Sequence, residues 1–209
     1  MDIILDIDGT LWDTTGVVAK AWNRALKEGG PAELDHLCIT AAMLKKEFGK
    51  PMDVIADDLF GDIPQETKDH LMELCCQFEH EEISACVEDL TYPHMRETLK
   101  ALSEMHDLYI VSNCQDGYIE LVLEKNHIGS LIKDFECFGR TGLQKDENIS
   151  LLIRRNGLKN PVYVGDTNGD MEAAKKAGVS FIFARYGFGD VKEYKAAIDS
   201  FEDLLKMFQ

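Results

Sequence analysis

Asp6-Ile7-Asp8-Gly9-Thr10 sets two carboxylates one residue apart at the end of an apolar run and follows them with a glycine. Two more apolar runs end in polar groups suited to phosphate chemistry. One closes on Ser112-Asn113, and Val162-Tyr163-Val164 leads into Gly165-Asp166-Thr167-Asn168-Gly169-Asp170. Two unit charges about 4 Å apart repel by about 4 kcal/mol at an effective dielectric near 20. If Asp6, Asp8, Asp166 and Asp170 converge, a hard divalent cation such as Mg2+ is the natural relief. Such an ion takes oxygens from some of the aspartates and from a substrate phosphate, which points to phosphoryl chemistry.

Convergence requires a fold that gathers strand ends. Five short apolar runs read as strands: Ile3 to Asp6, Leu108 to Ser112, Phe135 to Phe138, Val162 to Gly165 and Val179 to Ala184. They are continuous rather than alternating, as strands covered on both faces are. Helical patterns between several of them imply right-handed crossovers and a parallel sheet. The expected class is therefore α/β, a Rossmann-like three-layer core, whose ligand sits at the carboxyl ends of the strands.

About a hundred residues separate the first two strands, far more than one crossover helix needs. In that gap Val17, Val18, Ala21, Trp22, Ala25 and Leu26 form one helical stripe, with Lys20, Asn23, Arg24 and Lys27 opposite. A second helical pattern starts at Pro64 and carries Leu71, Leu74, Cys75 and Phe78. The reading is an all-helical cap domain over residues 16–87, inserted into a core of residues 1–15 and 88–209.

The 209 residues hold 22 basic and 38 acidic side chains, a net charge of -16, which argues against nucleic acid or an anionic membrane as the main partner. No run approaches the roughly 20 apolar residues of a membrane span, and the first residues do not read as a signal peptide. The six cysteines make no C-x-x-C pair and read as small side chains in a reducing cytoplasm. No histidine pairing of the zinc type occurs. Asp6 to Gly9 is unlike a calcium loop: its glycine comes too early and no glutamate follows at the twelfth position.

DIDGTLWD, then VSN, then the lysine of GLQKDENI, then VYVGDTNGDMEAAKKAGV, resemble in order the four motifs of the haloacid dehalogenase superfamily, and most closely its phosphoglycolate-phosphatase type with a helical cap. The resemblance implies a Mg2+-dependent phosphatase of small soluble phosphate esters. Asp6 then falls on the nucleophile that becomes an aspartyl phosphate, and Asp8 on the general acid and base. Gly9 and Thr10 face the phosphoryl group, as do Ser112 and Asn113. Lys145 neutralises nucleophile and phosphate together. Asp166 binds the metal, Asp170 binds it through water or orients Lys145, and Asp6 and the Asp8 carbonyl complete the ligands.

Lys50 in Gly49-Lys50-Pro51 lies where such caps present a loop to the site, and is the expected cap contact to substrate. Its alternative is a solvated lysine in a turn. Lys20 and Asn23 are weaker candidates, Cys114 is expected to line the crevice as a packing group, and Trp12 and Trp22 read as packing residues. Where relatives read Tyr-Pro-Gly on leaving the cap, this chain has Tyr92-Pro93-His94, which questions the local turn. The same motifs serve phosphosugar mutases and an inactive phosphate-binding module, so both stay open as alternatives. Oligomeric state and physiological substrate are not legible.

Overall fold

The computed structural model describes residues 1–208. Six parallel strands form one sheet: β1 (Asp2–Leu5), β2 (Asp107–Ser112), β3 (Ile132–Cys137), β4 (Val162–Gly165), β5 (Ser180–Ala184) and β6 (Ala196–Ile198), in the order β3-β2-β1-β4-β5-β6. The chain leaves β1 toward β2 and β3, then returns to the other side of β1 for β4 to β6. The order therefore reverses between β1 and β4, and a crevice opens beyond their carboxyl ends. Leu5 pairs with Ile110 on one side and Val164 on the other, so Asp6, Ser112 and Asp166 emerge from three neighbouring strands.

Among the described residues ten α-helices run in chain order: α1 (Thr15–Gly29), α2 (Ala41–Glu47), α3 (Met52–Phe60), α4 (Gln65–Ala85), α5 (Met95–Ser103), α6 (Tyr118–Lys125), α7 (Phe138–Thr141), α8 (Lys145–Asn156), α9 (Asn168–Lys176) and α10 (Leu204–Met207). Alternate side chains of the central strands go to opposite faces. Ile4, Tyr109, Val111 and Tyr163 pack with Ile149 and Leu152 of α8 and Ala173 and Ala174 of α9. Ile3, Leu5, Ile110 and Val164 face Leu99 and Leu102 of α5 and Ile119 and Val122 of α6. The result is the expected α/β three-layer core. Among the described residues no helix is long and apolar enough to cross a membrane.

Two strands depart from expectation. β6 was not anticipated, because Ala196-Ala197-Ile198 is too short to stand out. β3 starts three residues before the expected Phe135 and takes in Lys133 and Asp134. It is an edge strand, where polar positions are tolerated, and Asp134 is held by Arg155 and Asn156.

Between β1 and β2 the described residues form α1 to α5 and a 3-10 turn at Ala32–Leu34, with no strand of the sheet; α1 to α4 fall in the stretch read as a cap. The stripe of α1 buries Val18, Ala21, Trp22 and Ala25, and α4 buries Leu71, Cys75 and Phe78. Each large aliphatic side chain so buried contributes about 1.5–3 kcal/mol. The outgoing and returning chains pair at the neck: Asp13 N–H donates to Leu90 O at 2.9 Å and Tyr92 N–H to Leu11 O at 3.0 Å. Asn23 is a clamp within this region, exchanging bonds with Ile39 backbone, and Lys20 is exposed.

The Tyr92-Pro93-His94 turn is kept without the glycine. His94 takes the left-handed conformation, φ 60° and ψ 15°, immediately before α5.

Candidate active site

Burial at the strand ends leaves Asp6 1% exposed and Asp166 and Asp170 fully covered. One carboxylate oxygen from each lies within 4.8 Å of the others. Lys145, the first residue of α8, reaches between two of them. Its Nζ donates to Asp6 Oδ1 at 2.9 Å and to Asp170 Oδ1 at 2.6 Å. Burial opposes the ammonium, but Asp170 and Asp6 more than reverse this and push its pKa up. The lysine stays charged.

Local rules place the Asp170 carboxylate. Thr167 caps α9, and Asp170 at the third helical position bonds back to it in a capping box. Asp170 Oδ2 accepts from Thr167 N–H at 2.9 Å and Thr167 Oγ1 at 2.7 Å, which leaves Oδ1 for Lys145. Asp166 Oδ2 accepts from Phe188 N–H at 2.7 Å. Asp166 Oδ1 is buried and has no partner among the described residues. Burial pushes the Asp166 carboxyl well up, and Asp170 and Asp6 add to the rise. Burial also raises Asp6 to about 6, against the pull of Lys145.

Gly9 has φ 84°, and a Cβ there would stand 2.1 Å from Asp166 Oδ2, so only glycine lets the two loops close. The Gly9 and Thr10 amides are already used: Gly9 N–H donates to Trp12 O at 3.0 Å and Thr10 N–H to Ile7 O at 3.1 Å. These two amides are therefore engaged within the turn. The Thr10 hydroxyl is buried without a partner among the described residues.

Asp8 stands apart from the three-carboxylate cluster. Its Oδ1 accepts from Tyr118 Oη at 2.8 Å, Trp12 Nε1 at 3.1 Å and Thr14 Oγ1 at 3.2 Å. Burial raises the Asp8 carboxyl to about 8, with Tyr118 opposing and Asp6 and Glu79 adding to the rise. All three donors converge on one oxygen, so Oδ2 is the atom left to carry a proton.

Asp6, Asp8, Ser112, Asn113 and Cys114 line one cleft with Lys50. Its volume is about 30 Å3, room for one or two waters. Asn113 Nδ2 donates to Gly49 O at 2.7 Å, tying the β2 loop to the inserted helices, while its Oδ1 has no partner among the described residues. Lys50 reaches the cleft with its charge already matched: its Nζ bonds Glu47 at 2.6 Å and Asp58 at 2.8 Å.

Other cleft residues were not anticipated. Gln115, on the loop after β2, and Tyr118, the first residue of α6, follow Ser112-Asn113 closely, so their nearness to a strand end was the available signal. Glu79 lies on the apolar stripe of α4, four residues after Cys75, and a carboxylate on a buried stripe was its sign. Gly187 and Gly189 fold over Asp166, where a Cβ on either would come within 2.3 Å of Asp166 atoms.

Comparison with known proteins finds relatives of the same fold. The phosphoglycolate phosphatase of Aliivibrio fischeri is 24% identical over 207 residues, covering 89% of this chain and 84% of its own. That of Agrobacterium fabrum is 27% identical over 217 residues, covering 96% and 89%. The crystal structure of a predicted phosphoglycolate phosphatase from Haemophilus somnus matches with a TM-score of 0.84 at 22% identity, over 100% of this chain and 97% of that one. A haloacid dehalogenase-like family protein from Streptococcus pneumoniae matches at 0.82 and 19%, over 100% and 98%. At these identities the structural likeness is one of fold. The family model for haloacid dehalogenase-like hydrolases matches residues 3–184, and the chain belongs to that family.

Proposed function

We propose that the protein is a Mg2+-dependent phosphatase that cleaves a small phosphate monoester through a phosphorylated Asp6, with residues 16–87 serving as a cap over the core of residues 1–15 and 88–209. The observation that carries this is the buried meeting of Asp6, Asp166 and Asp170, with one ammonium bonded to Asp6 and Asp170 and with Asp166 Oδ1 left without a partner among the described residues. Three carboxylates against one lysine leave an excess of negative charge. Hard oxygen donors with one of them orphaned suit Mg2+. Asp6, Asp166 and the Asp8 carbonyl would hold the ion, and Asp170 would fix Lys145. Bound there, Mg2+ supplies positive charge against the phosphoryl oxygens.

An Asp6 carboxylate oxygen attacks phosphorus as the bond to the ester oxygen breaks. Asp8, protonated near neutral pH by its raised pKa, gives its Oδ2 proton to the departing alcohol. The same carboxylate then takes a proton from the water that attacks the phosphoaspartate, and phosphate leaves with Asp6 restored. Tyr118, Trp12 and Thr14 hold Asp8 in place through both steps. Lys145 keeps Asp6 ionised and offsets charge on the phosphoryl group. Ser112, Asn113 and the Thr10 hydroxyl supply polar contacts to its oxygens. Substrate enters when the cap swings about the neck at Asp13 and Leu90, because the cleft of about 30 Å3 is too small for an ester.

The relatives are named for phosphoglycolate, but identities of 24% and 27% do not carry a substrate across. Turnover of a generic aryl phosphate tests the reading. Activity with Mg2+ that vanishes in Asp6→Asn is expected; undiminished activity in that variant contradicts it.

A further inference from the structure

The cap side of the cleft carries a charge that nothing among the described residues answers. Glu79 of α4 is 4% exposed. Its Oε2 accepts from Trp22 Nε1 at 2.8 Å and its Oε1 from Gln115 Nε2 at 2.9 Å. Both donors are neutral, and among the described residues no lysine, arginine or histidine forms an ion pair with it. Ionising a carboxyl buried on these terms is costly unless a cation arrives from elsewhere.

Its surroundings favour a cation. Trp22, Tyr118 and Phe48 line the same cleft, and aromatic faces attract ammonium groups. Lys50 is the one lysine or arginine among the described lining residues, and it is neutralised by Glu47 and Asp58. A leaving group bearing a carboxylate would thus face Glu79 with no cation to receive it. A leaving group bearing an ammonium would complete the Glu79 site.

We infer that the cleft selects phosphate monoesters whose alcohol carries an ammonium group, with Glu79 as its anionic partner. This rests on the phosphatase reading above. It separates the chain from its relatives named for phosphoglycolate, whose alcohol carries a carboxylate. Glu79 here is a specificity residue on the cap, distinct from the groups that meet the phosphoryl group.

The test compares phosphoethanolamine, glycerol phosphate and phosphoglycolate on the full chain with Mg2+, alongside the aryl phosphate. A charge-assisted contact predicts kcat/KM for phosphoethanolamine at least roughly tenfold above the other two natural esters. In Glu79→Gln that ratio falls to near one. Glycerol phosphate or phosphoglycolate matching phosphoethanolamine, or a ratio unchanged in the variant, overturns the inference. If Glu79→Gln does not fold, the wild-type order decides alone. Calorimetry with the uncleavable aminopropylphosphonate and phosphonopropionate gives a second reading. Failure to turn over any ester, the aryl phosphate included, refutes the phosphatase reading, while tighter binding of the aminophosphonate still supports the ammonium site and its absence overturns it.

Discussion

Replacing Glu79 by glutamine removes a pH dependence of stability that can be worked from the surroundings of the carboxyl. Burial raises this carboxyl from 4.5 to about 7, with the bonds from Gln115 and Trp22 opposing. The folded pKa lies above the unfolded one, so between these values the folded chain holds more protons and stability falls as pH rises. The contribution of Glu79 is fully present below about pH 4.5 and is lost as pH rises through about 7. At about 1.36 kcal/mol per pH unit, that gap amounts to about 3 kcal/mol. The glutamine side chain of the variant cannot titrate. It also turns an amide NH2 toward one of two donors, at a cost of about 1–3 kcal/mol that is the same at every pH. The difference in unfolding free energy between Glu79→Gln and wild type should therefore move by about 3 kcal/mol in the variant's favour from about pH 4.5 to 8. Urea titrations along that range measure it, and the other titrating groups cancel in the difference. Trp22 donates directly to Glu79, so native-state fluorescence should show the same midpoint. A difference that stays flat across the range would refute the assignment of an uncompensated buried charge.

Mg2+ at about 100 times its Kd should stabilise the protein by about 2.7 kcal/mol, a Tm rise of about 5–10 °C in a scanning melt, and Asp166→Asn should lose most of it; a wild-type Tm indifferent to Mg2+ contradicts the metal reading. Gly187→Ala puts a Cβ 2.3 Å from Asp166 Cβ and 2.4 Å from Gly9 O, so urea unfolding should show a loss of about 1–3 kcal/mol together with reduced kcat, and an unaltered protein would show that this loop yields freely. His94→Gly removes left-handed strain of about 1–2 kcal/mol at the cost of about 0.5–1 kcal/mol of unfolded-chain entropy. The net gain of about 0.5–1 kcal/mol is checked by denaturant midpoint, and a loss would mean that the His94 side chain stabilises the turn by other contacts.

The central strands were legible because a strand covered on both faces must be apolar at every position, as Ile3-Ile4-Leu5 and Leu108 to Val111 are. The edges were harder. Lys133 and Asp134 are polar residues of an edge strand, and Ala196-Ala197-Ile198 owes its strand to the neighbour β5. The carboxylate ends could be read because each continues a strand of the sheet centre. Side chains that reach the cleft by packing carry weaker signals. Tyr118 lies 110 residues from the Asp8 it holds, and Gly187 matters only because the β5 loop folds back over Asp166. Lys50 was read from its place in the cap, and the approach of Asp58 from α3 that neutralises it is a tertiary contact.

The central claim is that Asp6 becomes phosphorylated among converging carboxylates. Acid quenching of a single turnover with labelled aryl phosphate and Mg2+, followed by proteolysis and mass spectrometry, tests it most directly. Label is expected on the Asp6 carboxylate, accumulating further in Asp8→Asn, where no base activates the water that attacks the phosphoaspartate. Turnover with no covalent label, or label on another residue, would contradict it.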